Sequence, residues 1–181
     1  MLAAAKCGGN LRVLDFGGSL GSTYYQNKKF LDQLDSVVWS VVEQKHFVVT
    51  GKNDFSDERL HFYDDIESCI QEQNPNVLIL SSVLQYIEKP YELLDKLLKY
   101  DFQFVLFDRT PFSPNNQDRI TLQIVPPMIY SASYPCWIFN ETFLLDYFRI
   151  KSYSLLEKFQ VDDIDNQGLY LSGSIFRKNY A

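Results

Sequence analysis

Leu11-Arg12-Val13-Leu14-Asp15-Phe16-Gly17-Gly18-Ser19-Leu20-Gly21 is the stretch on which the fold of this chain turns. Leu11 to Phe16 is a short run of apolar and β-favouring residues, closed by an acid and an aromatic. Three glycines and a serine then take four of the next five positions, so the backbone can turn sharply and a ligand can approach the main chain closely. A helix is expected next. Thr23 with Gln26 three residues later has capping-box spacing, and Phe30, Leu31 and Leu34 supply an apolar face. The N-terminus of such a helix offers unpaired N–H groups and a partial positive charge to an anionic group.

Working outward, apolar runs alternate with amphipathic stretches, as in strand-helix-strand units on a parallel sheet. Val37 to Val42 predicts a second strand ending at Glu43, and Leu60 to Tyr63 a third, closed by Asp64-Asp65, which can cap a helix over 66–71. Val77 to Leu80 predicts the fourth strand, followed by Ser81 and Ser82. Pro90 stands where helices start, with Leu93, Leu94, Leu97 and Leu98 as its stripe, and Phe104 to Phe107 predicts the fifth strand. Beyond Asp108 the pattern changes. Pro111, Pro114, Pro126, Pro127 and Pro135 fall within 110–136, which predicts an irregular, substrate-facing loop holding one short extra strand at Ile120, Leu122 and Ile124. A helix over 140–148 follows, then Tyr153 to Phe159 and Leu169 to Phe176 as an antiparallel hairpin. The expected class is α/β: a Rossmann-like, mostly parallel seven-stranded sheet with helices on both faces and a C-terminal antiparallel hairpin. It is read as a single domain over 1–181, with 1–10 as an N-terminal remnant.

The composition narrows the function. The chain has 181 residues, with 17 Lys and Arg against 23 Asp and Glu, a net charge of −6. No basic cluster offers a grip on duplex phosphates, so nucleic acid is not the expected partner. No window approaches the ~20 apolar residues that cross a bilayer, so no membrane span is expected. Cys7, Cys69 and Cys136 are far apart with no Cys-x-x-Cys spacing, which fits a reducing cytoplasm and argues against a disulfide framework or structural zinc. His46 and His61 are read as structural, and no metal is expected. The Asp163 to Gly168 segment faintly resembles a calcium loop, but it lacks the closing glutamate and reads better as a hairpin turn.

In open α/β sheets ligands bind beyond the carboxyl ends of the strands, where the strand order reverses. The residues to read are therefore Asp15 with its glycine turn, Glu43, Asp64 and Asp65, Ser81 and Ser82, and Asp108. Acids after strands two and three suit the hydroxyls of a ribose and the amino group of a base; one of Asp64 and Asp65 is expected to serve only as a helix cap. Asp108-Arg109, placed directly after strand five, is expected to contact substrate. Gln85 and Tyr86 lie after strand four. Phe112, Tyr130, Tyr134 and Trp137 are read as the wall of an acceptor pocket, since aromatics with a polar tip suit sugar-like or ring-bearing molecules.

Val13 to Gly21 resembles the first motif of the class I S-adenosylmethionine-dependent methyltransferases, in which an acid closes strand one before a Gly-x-Gly-x-Gly turn. Glu43 is similar to that family's ribose-binding acid and Asp64 to the acid near the adenine. Ser81 to Pro90 is similar to its segment after strand four, and the terminal hairpin matches its antiparallel seventh strand. The resemblance spans Leu11 to Lys178. It looks closest to a poorly characterised group associated with surface-polysaccharide gene clusters, through the Gly-Gly-Ser-Leu-Gly turn, Asp108 to Phe112, and Tyr134-Pro135-x-Trp137. The resemblance implies S-adenosylmethionine as cofactor, S-adenosylhomocysteine as product, and methyl transfer to a small-molecule acceptor such as a sugar or polysaccharide precursor. It implies cofactor contacts from Asp15, Gly17, Gly18, Ser19, Gly21, Glu43, Asp64, Asp65 and Ser81. Asp108 is the candidate general base, with Tyr86 second; Arg109 is the anion-holding fork, and Gln85, Tyr134 and Trp137 complete the acceptor contacts. A monomer or homodimer is expected.

Two departures stand out. Ser19 occupies the place of the family's middle glycine, and Glu43 lies 28 residues after Asp15, further than the ~20 usual in dinucleotide folds. Two alternatives follow: an inactive, methyltransferase-like scaffold, and an NAD-dependent oxidoreductase. The second ranks lower because residues 17–21 do not spell G-x-G-x-x-G and because Asp15 would repel a pyrophosphate.

Overall fold

The computed structural model describes residues 2–113, 117–129, 131–163 and 168–180, so Tyr130 and residues 164–167 of the turn expected over 163–168 lie outside the described residues. The chain divides into two compact units, Met1–Ser81 with Leu97–Leu106, and Ser82–Lys96 with Phe107–Ala181.

The first unit is built on strands β1 (Asn10–Phe16), β2 (Ser36–Val42), β3 (Leu60–Tyr63), β4 (Val77–Ser81) and the start of β5 (Phe104–Ser113). Their order is β3-β2-β1-β4-β5, with β1 parallel to both β2 and β4, and β2 parallel to β3. The order reverses between β1 and β4, where Asp15 pairs with Ile79. These strands read as near-continuous apolar runs because both faces are covered: Val13, Leu14, Trp39, Val41, Leu78 and Leu80 are all buried. The first residues form a short helix, α1 (Leu2–Lys6), which buries Ala3 and Ala4.

Helix α2 (Ser22–Leu31) departs from the expected start. Thr23 lies inside the helix and does not cap it. The N-cap is Gly21 in the left-handed region (φ 84), whose N–H donates to the Gly18 carbonyl oxygen and whose carbonyl accepts from Tyr25 N–H. The tight glycine turn thus hands the chain directly to the helix. The buried face also differs: it is Tyr24 and Leu31, while Phe30 is largely exposed and Leu34 lies beyond the helix. Helix α3 (Lys45–Thr50) runs into a π-turn over Gly51–Phe55, and α4 (Ile66–Gln73) is capped by Asp65, whose Oδ1 accepts from Ser68 N–H.

The second unit contains a 3-10 turn (Leu84–Tyr86), most of α5 (Pro90–Leu97), the remainder of β5, β6 (Arg119–Ile124), β7 (Ser133–Asn140), α6 (Glu141–Ile150), β8 (Tyr153–Asp163) and β9 (Tyr170–Lys178). Strand β5 runs six residues past its expected end, so Asp108, Arg109, Thr110, Pro111 and Phe112 are strand residues and not a loop after it. The expected irregular loop over 110–136 likewise holds the end of β5, β6 and the start of β7, an unexpected strand. Prolines remove single N–H donors from a ladder without preventing it, and Pro135 sits in register opposite Leu122. Strands β6 and β7 are antiparallel, β7 is parallel to the end of β5, and β8 and β9 form the expected antiparallel hairpin, with β9 against β5. The extra strand's apolar residues face out: Ile120, Leu122 and Ile124 are exposed.

Much of the aromatic content fills this unit's core. Phe107, Phe112, Phe139, Phe148, Tyr153 and Phe176 are fully buried, and Phe148 stacks on Phe176 with ring centroids 4.3 Å apart. Among the described residues no helix is long and apolar enough to cross a membrane.

Candidate functional sites

In the first unit, the turn after β1 sits at the reversal of strand order. Gly17 (φ 72) donates its N–H to the Val42 carbonyl oxygen, tying the turn to β2. Ser19, in place of the expected glycine, adopts the same left-handed conformation a glycine would (φ 53). Gly18 has a different reason to be glycine: a Cβ there would lie 2.6 Å from Cγ of Asp15, so the backbone is pressed against that carboxyl.

Asp15 is completely buried. Its Oδ2 accepts a hydrogen bond from Trp39 Nε1 at 3.0 Å, while Oδ1 has no partner. Burial pushes its pKa up to about 7, against the opposing Trp39 bond and with a further push from the Glu43 charge. An orphaned carboxyl oxygen shut beneath a glycine turn is costly unless a donor or cation meets it, at roughly 1–3 kcal/mol or more for a charged group. Trp39 is absent from the sequence-based candidates. Its signal is the register: Trp39 lies opposite Val13 on β1, two residues from Asp15 on the same face, and a buried indole N–H needs an acceptor.

Glu43 stands at the end of β2, half-buried, with Oε2 accepting from Gln44 N–H at 2.6 Å and its own N–H donating to Tyr63 carbonyl oxygen. Ser81 is the last residue of β4. Asp64 and Asp65 border a polar cavity of about 340 Å³ with His61, Ser68 and Glu72. The carboxylate of Asp65 caps α4 through both the N–H and the hydroxyl of Ser68, whereas Asp64 is exposed beside it.

The second unit gathers the other candidates. Ser82 and Arg109 both have positive φ (52 and 49), a conformation that costs a non-glycine residue of order 1–2 kcal/mol and clusters at functional sites. They are joined: Ser82 N–H donates to the Asp108 carbonyl oxygen. Asp108 Oδ1 accepts from Arg109 N–H at 2.8 Å, and its Oδ2 lies 3.9 Å from Arg109 Nε. Gln85 is buried and uses both amide hydrogens, one to Ser82 Oγ at 3.3 Å and one to the Arg109 carbonyl oxygen at 3.2 Å. That pairing fixes the orientation of its amide, and Oε1 is left without a partner. Tyr86 donates to Gln123 Oε1 and packs edge-on against Tyr134, and Trp137 Nε1 donates to the Ile87 carbonyl oxygen. Ser82, Gln85, Tyr86 and Arg109 line a cavity of about 380 Å³ with residues of β5, β6, β7 and β9. Tyr134 and Trp137 buttress it through these contacts and do not line it.

No family model and no curated protein matches the chain. Solved structures do. A 1,6-didemethyltoxoflavin-N1-methyltransferase of Burkholderia thailandensis, with 1,6-didemethyltoxoflavin and S-adenosylhomocysteine bound, matches at TM-score 0.61 and 14% identity over 99% of this chain and 76% of that one. A SAM-dependent methyltransferase of Methanosarcina mazei matches at TM-score 0.63 and 12% identity, over 95% and 94%. The magnesium protoporphyrin IX methyltransferase of Synechocystis, with SAM bound, matches at TM-score 0.63 and 11% identity, over 98% and 74%. This chain has the SAM-dependent methyltransferase fold. At such identities the likeness is one of fold. It accords with the α/β class expected from the Leu11 to Gly21 stretch.

Proposed function

We propose that this protein is an S-adenosylmethionine-dependent methyltransferase acting on a small-molecule acceptor. The observation that carries the reading is the orphaned, buried carboxyl of Asp15 beneath a glycine turn at the reversal of strand order. A cationic amino-acid group suits that carboxyl and a pyrophosphate does not, which favours S-adenosylmethionine over a nicotinamide dinucleotide. The solved neighbours that carry S-adenosylmethionine or S-adenosylhomocysteine support the same choice.

In this reading Asp15 and the backbone of Gly17, Gly18, Ser19 and Gly21 hold the amino-acid end of the cofactor. Glu43 accepts the ribose hydroxyls, Asp64 meets the adenine amino group, and Ser81 contributes backbone groups. Asp65 serves chiefly as the α4 cap. When bound, the cofactor supplies an electrophilic methyl group on a sulfonium. Tyr86 shapes the acceptor cavity, Arg109 orients an anionic part of the acceptor, and Asp108, beside Arg109 but outside the cavity lining, is the candidate to take the acceptor's proton. Holding both reactants in place can supply ~7–11 kcal/mol of the barrier reduction, and a placed base a further 10²–10⁴-fold.

Calorimetry and thermal shift with S-adenosylhomocysteine and with NAD test the reading. The expected result is binding of the former only, weakened at least tenfold by Glu43→Ala. Absence of heat and of any shift at millimolar S-adenosylhomocysteine removes it.

A further inference from the structure

We infer that the cavity of the second unit takes a ring-bearing organic anion: an apolar one- or two-ring body with one carboxylate or comparable acidic group and one N–H or O–H donor. The inference rests on the methyltransferase reading for its role as acceptor site, and on the cavity wall alone for the class of molecule.

Three features of the wall set that class. The first is its apolar body. Pro111, Cys136, Ile138, Leu169 and Leu171, with the ring of Tyr86, supply most of the lining residues. A space of about 380 Å³ equals roughly a dozen water volumes, which suits one or two rings and falls in the ordinary range for small-molecule pockets. A free sugar, with a hydroxyl on nearly every carbon, would leave many of them unpaired against that wall.

The second is charge. In a protein of net charge −6, Arg109 is the only charged side chain among the described residues lining this cavity. Its guanidinium is half exposed, and its ion pair with Asp108 is long, at 3.9 Å. A planar fork held this loosely can take a carboxylate in two parallel hydrogen bonds. Arg109 keeps a left-handed backbone inside a strand, a local cost.

The third is the unpaired acceptor. Both amide hydrogens of Gln85 are engaged, by Ser82 and by the Arg109 carbonyl, so only its Oε1 remains to be satisfied. The hydroxyls of Tyr86 and Thr121 already donate to Gln123 Oε1 and the Cys136 carbonyl oxygen. Gln85 Oε1 therefore asks for a donor on the ligand, and an analogue lacking that donor leaves a buried oxygen unpaired.

The test is equilibrium binding to the full chain, by ligand-observed NMR and calorimetry, independent of turnover. The probes are hydroxybenzoates and hydroxynaphthoates, their neutral amides, the unsubstituted benzoate and naphthoate, and glucose 1-phosphate with glucuronate as polar anions. S-adenosylhomocysteine binding is measured on the same samples. Hydroxylated ring acids should bind, at least tenfold more tightly than either the amides or the sugar anions. Removing the ring hydroxyl should cost at least fivefold. Arg109→Gln should erase the preference for acid over amide, and Arg109→Lys should retain part of it. Preference for the sugar anions, or equal affinity for acid and amide in the unaltered protein, overturns the inference. If S-adenosylhomocysteine binds but no ring acid does, the inference fails and the methyltransferase reading stands. If ring acids bind with the stated pattern and S-adenosylhomocysteine does not, the cavity assignment stands and the methyltransferase reading falls.

Discussion

Replacing Asp15 by asparagine probes the buried carboxyl directly. In the folded chain its pKa is about 7, raised mainly by burial, against 3.8 for the free side chain. A folded-state value above the unfolded one means the folded protein holds a proton that the unfolded chain has released. The stabilising contribution is therefore complete below about pH 4 and is lost as pH rises through 7. The slope over that window is about 1.4 kcal/mol per pH unit, which sums to about 4 kcal/mol. The amide introduced by Asp15→Asn cannot ionise. The variant therefore escapes this loss and carries only a pH-independent cost for presenting an amide to Trp39 and to the unpartnered side of the carboxyl. Urea unfolding of both proteins at half-unit steps from pH 4 to 9 isolates the group. The stability of Asp15→Asn relative to the parent should climb steadily to pH 7 and then level off. Curves that run parallel across the whole range refute the account of Asp15. The same group links stability to ligand binding. A cationic amino-acid group meeting Oδ1 would favour the ionised carboxyl, so S-adenosylhomocysteine binding near pH 6 should release close to one proton from the parent and none from Asp15→Asn. Calorimetry in two buffers of different ionisation enthalpy reads that release.

Ser19→Gly should stabilise the protein by up to about 1 kcal/mol, since the left-handed φ of 53 costs serine and not glycine; a destabilised variant would show that the hydroxyl holds the turn. Asp108→Asn should lower methyl transfer to a hydroxyl acceptor at least 100-fold with S-adenosylhomocysteine affinity unchanged, measured by isotope transfer and calorimetry; unaltered turnover would assign the Asp108-Arg109 pair to structure alone. Tyr91→Phe deletes a 2.6 Å bond to Asp118 Oδ2, whose Oδ1 accepts from Asn140 N–H. It should cost about 1–3 kcal/mol in urea unfolding, and a loss below 0.5 kcal/mol would show that the bond contributes no net stability.

The first unit is legible because its signals are local. Buried parallel strands are apolar along their length, and each expected strand from Leu11 to Leu80 appears within a residue or two of its place. Asp65 as the cap of α4 follows from side-chain chemistry within three residues. The start of α2 misleads for the same reason: Thr23 and Gln26 have the right spacing, but the turn closed by Gly18 and Gly21 sets where the helix begins. Past Asp108 the proline count suggests a loop. Pairing with β7 and β9 carries β5 through it, and pairing between strands far apart in sequence leaves no local mark.

From the residue order alone came the α/β class, the glycine turn, the acids at the ends of β2 and β3, and the choice of Asp15, Gln85 and Arg109 as candidates. Tertiary structure decided what those residues can do. Only strand register could bring Trp39 to Asp15 and strand one oxygen of a buried carboxyl, because the two lie 24 positions apart. Only the pairing of Gln85 with Ser82 and the Arg109 backbone could leave a single amide oxygen unpaired in the wall of an apolar cavity. Residue types and spacings record which groups are available. Burial and the pattern of hydrogen bonds, which set pKa and ligand preference, depend on the whole packed neighbourhood.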